Sequence, residues 1–94
     1  MKLRWLKAGT RSLRLVHAHI AMDNPVAAKR VVERIESSLE RLAIFPESGR
    51  IGQVSGTREV VVPGLPYIVV YRVSAEVEIL RVFHAAQDYP ASFH

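Results

Sequence analysis

Residues 58–84 decide the fold, and they read REVVVPGLPYIVVYRVSAEVEILRVFH. Three runs in this stretch are rich in β-branched residues, and their bounds are Arg58 to Val62, Tyr67 to Val73 and Val77 to His84. The turn residues Pro63-Gly64-Leu65-Pro66 separate the first two runs, and the gap between the last two is short enough for a hairpin. Since the last two runs are apolar on both faces, we expect central strands covered by helices. An antiparallel sheet is therefore predicted.

Two amphipathic helices precede this region. Apolar residues recur every three or four positions from Ala8 to Met22, which is the spacing of a helix with one buried face. Asn24 is a good N-cap and Pro25 suits the first helical position, so a second helix is predicted from there to about Ile44. Its predicted buried face comprises Ala28, Val31, Val32, Ile35, Leu39 and Leu42. The two helices should form an antiparallel hairpin.

The first residues add one strand to this layout. Lys2 to Lys7 alternate between charged and apolar side chains, which predicts a short strand of the same sheet with Trp5 in the core. The expected fold class is α+β, with an N-terminal strand, an antiparallel helix hairpin and a C-terminal antiparallel sheet. The chain has 94 residues, so a single domain over residues 1–94 is predicted.

Composition excludes several classes of protein. Apolar residues make up 49% of the chain and charged residues 23%, which excludes a disordered tail and a collagen-like repeat. With no Cys, there is no disulfide and no thiolate metal site. His17 and His19 are two positions apart on a helix and cannot chelate from one face, so neither a metal nor a cofactor is expected. No membrane helix or signal peptide is predicted, and we expect a cytoplasmic protein.

Positive charge is concentrated near the N-terminus. The net charge is +4, and residues 1–22 hold five cations and no acid, namely Lys2, Arg4, Lys7, Arg11 and Arg14. Most cations of the chain are Arg, which favours bidentate pairing with carboxylate or phosphate. An acidic partner is therefore predicted. Nucleic acid, an acidic protein segment and a phosphate-rich assembly would each satisfy this prediction, and a solvated basic face is the alternative.

Several short blocks, in a fixed order, carry a family resemblance. They are Asn24-Pro25-x-Ala27-Ala28, Phe45-Pro46-x-x-Gly49-Arg50-x-Gly52, Gly56-Thr57-Arg58-Glu59, Pro66 to Val73, and Ile79-Leu80-Arg81-Val82-x-His84 with Gln87. Together they resemble the RelE/ParE toxin superfamily, and the ParE branch most closely. The resemblance implies the toxin of a bacterial type II toxin–antitoxin pair, neutralised by a ParD-like antitoxin. It also implies growth inhibition and a role in plasmid stabilisation.

The superfamily offers two activities, which are ribosome-dependent mRNA cleavage in RelE-like members and poisoning of DNA gyrase in ParE-like members. Cleavage needs a general base, cationic donors and a general acid within hydrogen-bond reach. The candidates are Glu59, Arg58, Arg72, Arg81, His84 and Tyr89. In the nuclease branch an Arg is typical at the position of Ile68. The aliphatic residue favours a gyrase inhibitor that acts by binding and has no catalytic residues, and an mRNA endonuclease is the alternative.

The resemblance also indicates which residues to assign to partners. Target contact is predicted for Arg58, Arg72, Arg81, His84 and Tyr89. Antitoxin contact is predicted for Arg11, Arg14 and Arg72. The antitoxin is expected to lay an acidic helical segment, with apolar residues, into a groove between the helix hairpin and the sheet. No sequence-specific contact with nucleic acid and no membrane contact is expected.

Structural roles remain open for the same residues. Arg81 could form an ion pair with Glu59 or Glu78, whereas Arg58 and Arg72 could simply guard a sheet edge. His84 could be structural, and Tyr89 could cap the core or offer a stacking face.

A plain basic nucleic-acid-binding module is a third functional class. It would need exposed aromatic residues among the cations, whereas Trp5, Phe45 and Tyr71 are expected to be buried. Arg50, which follows Gly49, is expected to anchor a loop rather than to contact a target.

Overall fold

The computed structural model describes residues 1–87 and 89–92. Its elements are β1 (Leu3–Trp5), α1 (Lys7–Ala21), α2 (Pro25–Ser38), a 3-10 helix (Glu40–Ala43), β2 (Arg50–Ile51), β3 (Arg58–Val61), β4 (Tyr67–Val73), β5 (Val77–His84) and α3 (Tyr89–Ser92). The predicted α+β class and order of elements are confirmed. In the described ranges, every helix is too short or too polar to cross a membrane.

The five strands form one mixed sheet in the order β1-β5-β4-β3-β2. Neighbours from β2 to β5 are antiparallel, whereas β1 runs parallel to β5 and pairs Leu3 with Val77 and Trp5 with Ile79. The N-terminal strand therefore joins the sheet, as predicted. Because β1 has only three residues, it covers only the first part of β5.

The helix hairpin packs on one face of the sheet. Ile35 of α2 and Leu39, the residue that follows α2, belong to one buried cluster with Val69 and Tyr71 of β4. α1 crosses β5 at Gly9, where a Cβ atom would lie 2.6 Å from the carbonyl oxygen of Ile79. Of the predicted buried face, Ala28, Ile35, Leu39 and Leu42 are buried, whereas Val31 and Val32 are half-buried. The absent side chain at Gly9 allows the close approach of α1.

The other face of the sheet has a different cover. Its buried cluster consists of Val70, Leu80, Phe83 and Tyr89, with Leu6, Val54 and Ile68 packed against it. We expected helices to cover both faces of the central strands, and this is wrong for the second face. Residues near Val54 and the ring of Tyr89 exclude water there, because the two long helices are joined as a hairpin on the first face.

Two local predictions differ from the structure. α2 ends at Ser38 rather than near Ile44, and a 3-10 turn follows. The hydroxyls of Ser37 and Ser38 donate to the carbonyl oxygens of Glu33 and Ile35 at 2.7 and 2.6 Å, and such bonds compete with regular helical bonding. The two-residue strand β2 was not predicted, because two residues show no periodicity.

Candidate functional site

A groove of about 470 Å³ runs between α1 and the end of β5. It is lined by Ser12, Leu15, Val16 and His19 of α1 and by Tyr67, Arg81, Val82, Phe83, His84 and Gln87. It lies between the helix hairpin and the sheet, where the sequence analysis expects the antitoxin segment. Two of the predicted target residues, Arg81 and His84, therefore share one surface.

The groove exists because the second half of β5 has no neighbouring strand on the side of β1. The N–H of Val82 donates instead to Oγ of Ser12 at 2.8 Å, and the N–H of His84 donates to Oε1 of Gln87 at 2.8 Å. The side chains of Ser12 and Gln87 thus accept hydrogen bonds from backbone N–H groups at a strand edge that has no neighbouring strand. Leu15 is 65% exposed beside this edge. The floor of the groove is therefore apolar, and its rim is polar.

The charged groups that line the groove are all cationic or basic. The guanidinium carbon of Arg81 lies 5.9 Å from the centroid of the Phe83 ring. His84 is exposed, its Nδ1 accepts the N–H of Ala86 at 3.0 Å, and its ring meets Tyr67 edge-on at 5.5 Å. The described part of the chain contributes no carboxylate to this lining. An acidic, partly apolar segment would match such a surface.

Arg58 has a structural role. Its Nη1 donates to the carbonyl oxygens of Glu47 and Gly49 at 3.1 and 2.9 Å. The hydroxyl of Tyr71 fixes the same loop, since it donates to the carbonyl oxygen of Pro46 at 2.8 Å and accepts the N–H of Gly49 at 2.9 Å. Burial raises the pKa of Tyr71, so this hydroxyl stays neutral and able to donate. Arg58 is half-buried, and its Nη1 already donates to these two carbonyl oxygens.

Arg72 is engaged within the sheet. Its Nε lies 2.5 Å from Oε1 of Glu78, the residue directly opposite on β5. This hydrogen bond lowers the pKa of Glu78, and the charge of Arg4 adds a smaller effect in the same direction. The sequence analysis considered Glu78 as a partner of Arg81. The structure pairs Glu78 with Arg72 instead, because the strand register places those two residues opposite each other.

Replacing this partner should be visible in a titration. We expect Arg72→Gln to raise the pKa of Glu78 towards its usual value of 4.5. Because the folded pKa lies below the unfolded one, the stabilisation by Glu78 is present above about pH 4.5 and is lost as the pH falls through the folded pKa. NMR titration of the carboxyl carbon measures the shift. Arg4→Gln is the control and should raise the pKa less; a larger rise would contradict this account.

A buried carboxylate connects the C-terminal helix to the sheet. Glu59 is 2% exposed, and its Oε1 accepts from Nε of Arg50 at 2.7 Å. The hydroxyl of Tyr89 donates to Oε2 of Glu59 and accepts the N–H of Gln53 at 2.8 Å. Glu59 thus pairs with Arg50, not with Arg81 as the sequence analysis considered. Arg50 serves as an anchor within the sheet, and Tyr89, which is 2% exposed, caps the core.

Arg11 and Arg14 lie outside the groove. They line a separate cleft of about 400 Å³ with Trp5, Lys7 and Thr10. At 3.6 residues per turn, positions 7, 11 and 14 share one face of α1, whereas positions 12, 15 and 19 share another. The structure therefore does not bring Arg11 and Arg14 together with the residues that line the groove.

One aromatic residue was placed wrongly. Phe45 is 58% exposed rather than buried, and Ile44 beside it is 74% exposed. Leu15 and His19 line the groove. The sequence did not single out Leu15, and His19 was considered only as a metal ligand. The helical spacing could have identified Leu15, because it lies off the apolar stripe formed by Leu13, Val16 and Ile20.

Comparisons with known proteins place the chain in the RelE/ParE superfamily. Residues 3–89 match the sequence model described as ParE toxin of type II toxin–antitoxin system, parDE. "Putative toxin Y4kP" of Sinorhizobium fredii is 46% identical over 89 residues, which are 95% of this chain and 93% of that protein. Toxin RelE2 of Caulobacter vibrioides is 33% identical over 84 residues, covering 88% and 93% of the two chains.

Two solved structures share the fold. A chain of the chromosomal ParDE system from P. aeruginosa superposes with a TM-score of 0.79 at 25% identity, covering 89% of this chain and 95% of that one. A chain of the RelBE2 toxin–antitoxin complex from Mycobacterium tuberculosis gives a TM-score of 0.57 at 24% identity, with 92% of each chain covered. The first of these shows that the fold of this chain, as well as its sequence, is similar to that of a protein from a ParDE system.

Proposed function

Because this chain belongs to the ParE family of toxins from type II toxin–antitoxin systems, we propose that it binds and poisons DNA gyrase without cutting RNA. A ParD-like antitoxin holds it inactive through an acidic helical segment in the groove between α1 and β5. Growth inhibition and plasmid stabilisation would follow from release of the toxin.

The observation that carries this proposal is the burial of two candidate acid–base groups, Glu59 and Tyr89. Glu59 and Tyr89 are each 2% exposed and bonded to one another, so neither can reach a substrate hydroxyl or phosphate in this conformation. A ribonuclease needs a base and an acid within hydrogen-bond reach of its substrate. Of the other candidates, Arg72 is exposed but paired with Glu78, and Arg81 and His84 line the open groove. Those residues can bind a partner, which supports inhibition by binding.

The environment of Ile68 supports the same conclusion. Ile68 pairs with Phe83 on β5 and packs against the second core cluster. The nuclease branch typically supplies an Arg at this position, whereas this chain has a half-buried aliphatic side chain there. Ile68 therefore makes a packing contact at the position where the nuclease branch has a cationic side chain.

The groove explains how an antitoxin could block the toxin. Its exposed Leu15 suits an apolar side chain, and Arg81, His19 and His84 suit the carboxylates that flank it. A helix seated there would cover Arg81 and His84, which we also propose as target contacts. Neutralisation is then direct occlusion of the target surface.

The decisive experiment compares two reactions of the purified toxin. We expect inhibition of gyrase supercoiling in a reaction without ribosomes, and no site-specific mRNA cleavage on ribosomes at the same concentration. Arg81→Ala and His84→Ala should each weaken the inhibition about tenfold or more, since a charged or polar contact at an interface contributes about 1.5 to 3 kcal/mol. Arg30→Ala, at an exposed position of α2, is the matched control and should retain full inhibition.

Thermal unfolding of each variant establishes that it folds. mRNA cleavage on ribosomes with supercoiling unaffected would overturn the gyrase assignment and establish the RelE-like activity instead. In induced cells, double-strand breaks should appear before protein synthesis falls; the reverse order would also contradict the proposal.

A further inference from the structure

The cleft on the other side of α1 is strongly basic. Lys7, Arg11 and Arg14 are exposed and line it together with Thr10 and the half-buried Trp5. Arg11 is four positions after Lys7, and Arg14 is three positions after Arg11. At a rise of about 1.5 Å per residue, the three cations span about 10 Å along one face of the helix. This places three positive charges over a short, straight distance.

These charges have no carboxylate partner among the described residues. The ion pairs of the structure join Arg4 to Glu76, Arg50 to Glu59 and Arg72 to Glu78, and none of them involves the cleft. Residues 1–22 contain no acidic side chain at all. The positive potential of the cleft is therefore uncompensated, and it favours an anionic partner of high charge density.

The lining points to phosphodiester rather than to protein. Trp5 is the one apolar side chain in the described lining and is half-buried, whereas the exposed Leu15 of α1 lines the groove instead. The cleft offers Arg, Lys and Thr side chains, which are typical donors to phosphate oxygens. Duplex DNA presents one negative charge per about 1.7 Å of its axis, so a span of about 10 Å meets several phosphates.

We propose that the Lys7–Arg11–Arg14 cleft binds the phosphodiester backbone of duplex DNA without reading its sequence. The choice of DNA rests on the proposed function, because gyrase acts on a DNA duplex. The cleft would then add a contact with the DNA of the target complex to the protein contact made by the groove. The two surfaces have no lining residue in common.

The test measures binding of the full-length toxin to bare duplex DNA by fluorescence anisotropy over a salt series, with no gyrase present. Two unrelated sequences should bind equally. Three phosphate contacts predict a slope of log K against log salt of about −2.7. Lys7→Gln/Arg11→Gln/Arg14→Gln should remove most of this slope and weaken binding about tenfold or more at low salt.

A charge-matched variant controls for the loss of net charge. Lys29→Gln/Arg30→Gln/Arg34→Gln removes three exposed cations from α2 and should retain most of the affinity and slope. Equal losses in both variants, no binding at low salt, or preferential binding of a poly-glutamate peptide of equal charge would each overturn the inference. Thermal melts confirm that both variants fold.

This assay is separate from the test of gyrase poisoning. DNA binding through the cleft without inhibition of supercoiling would contradict the proposed function and leave the cleft assignment standing. Inhibition of supercoiling without any binding of bare DNA would support the proposed function and contradict the cleft assignment.

Discussion

Ile35→Asp is expected to lower the free energy of unfolding by about 3 to 5 kcal/mol, because it buries a carboxylate without a partner. Ile35 is 0% exposed at the centre of the cluster between α2 and the sheet. The buried residues around it are hydrophobic, so even a protonated Asp would replace apolar contacts with a polar group and would leave a cavity. Single domains are stable by about 5 to 15 kcal/mol, so this change removes a large share of the total.

Urea denaturation followed by circular dichroism measures the effect. Glu36→Asp is the control, because it places the same residue type on the exposed face of the same helix. It should change stability only by the difference in helix propensity, about 0.5 kcal/mol. If Ile35→Asp does not fold, Ile35→Val should still lose about 0.5 to 1.5 kcal/mol in a measurable transition. An Ile35→Asp protein as stable as the parent would show that this helix face lies outside the core.

Leu15→Glu is expected to weaken antitoxin binding about 100-fold or more. The change puts a carboxylate in the middle of the groove, where it would meet an acidic partner and remove the exposed apolar contact. A central apolar anchor of an interface contributes about 2 kcal/mol or more, and like charges at an interface add to the loss. Isothermal titration with the antitoxin encoded beside the toxin gene measures the affinity.

Val26→Glu provides the comparison for this experiment. Val26 is 64% exposed, almost the same as Leu15 at 65%, but it lies in the first turn of α2 and does not line the groove. It should bind the antitoxin with the parent affinity. An equal loss for both variants would show that net charge, not the groove, controls binding. Unchanged affinity of Leu15→Glu would place the antitoxin elsewhere.

Patterns of short range predicted most of the fold. The alternating and β-branched runs identified β1, β3, β4 and β5, and the cap at Asn24 located the start of α2, where its Oδ1 accepts the N–H of Ala27 at 3.0 Å. Such patterns predict secondary structure because they depend on the geometry of residues that are close in the sequence. The end of α2 was missed, since Ser37 and Ser38 bond to backbone carbonyls only once the helix has formed.

The structure places the predicted contact residues in different environments. The superfamily resemblance directed attention to Arg81 and His84, and these two do line one groove. It also suggested Arg58 and Tyr89, which the structure uses to hold the loop 45–49 and to cap the second core cluster. A side chain of the same type can be a ligand or an anchor. Burial, which depends on the whole fold, distinguishes the two.

The sequence by itself determined the two long helices, four of the five strands, the basic N-terminal segment and the family, because each of these depends on local composition, spacing or motif order. Tertiary structure alone decided the ion-pair partners. Arg72 meets Glu78 and Arg50 meets Glu59 because the strand registers align them. The groove likewise depends on β1 ending before β5 does and on α1 crossing at Gly9. Contacts between distant residues follow from how complete elements pack, and no short window of sequence records that packing.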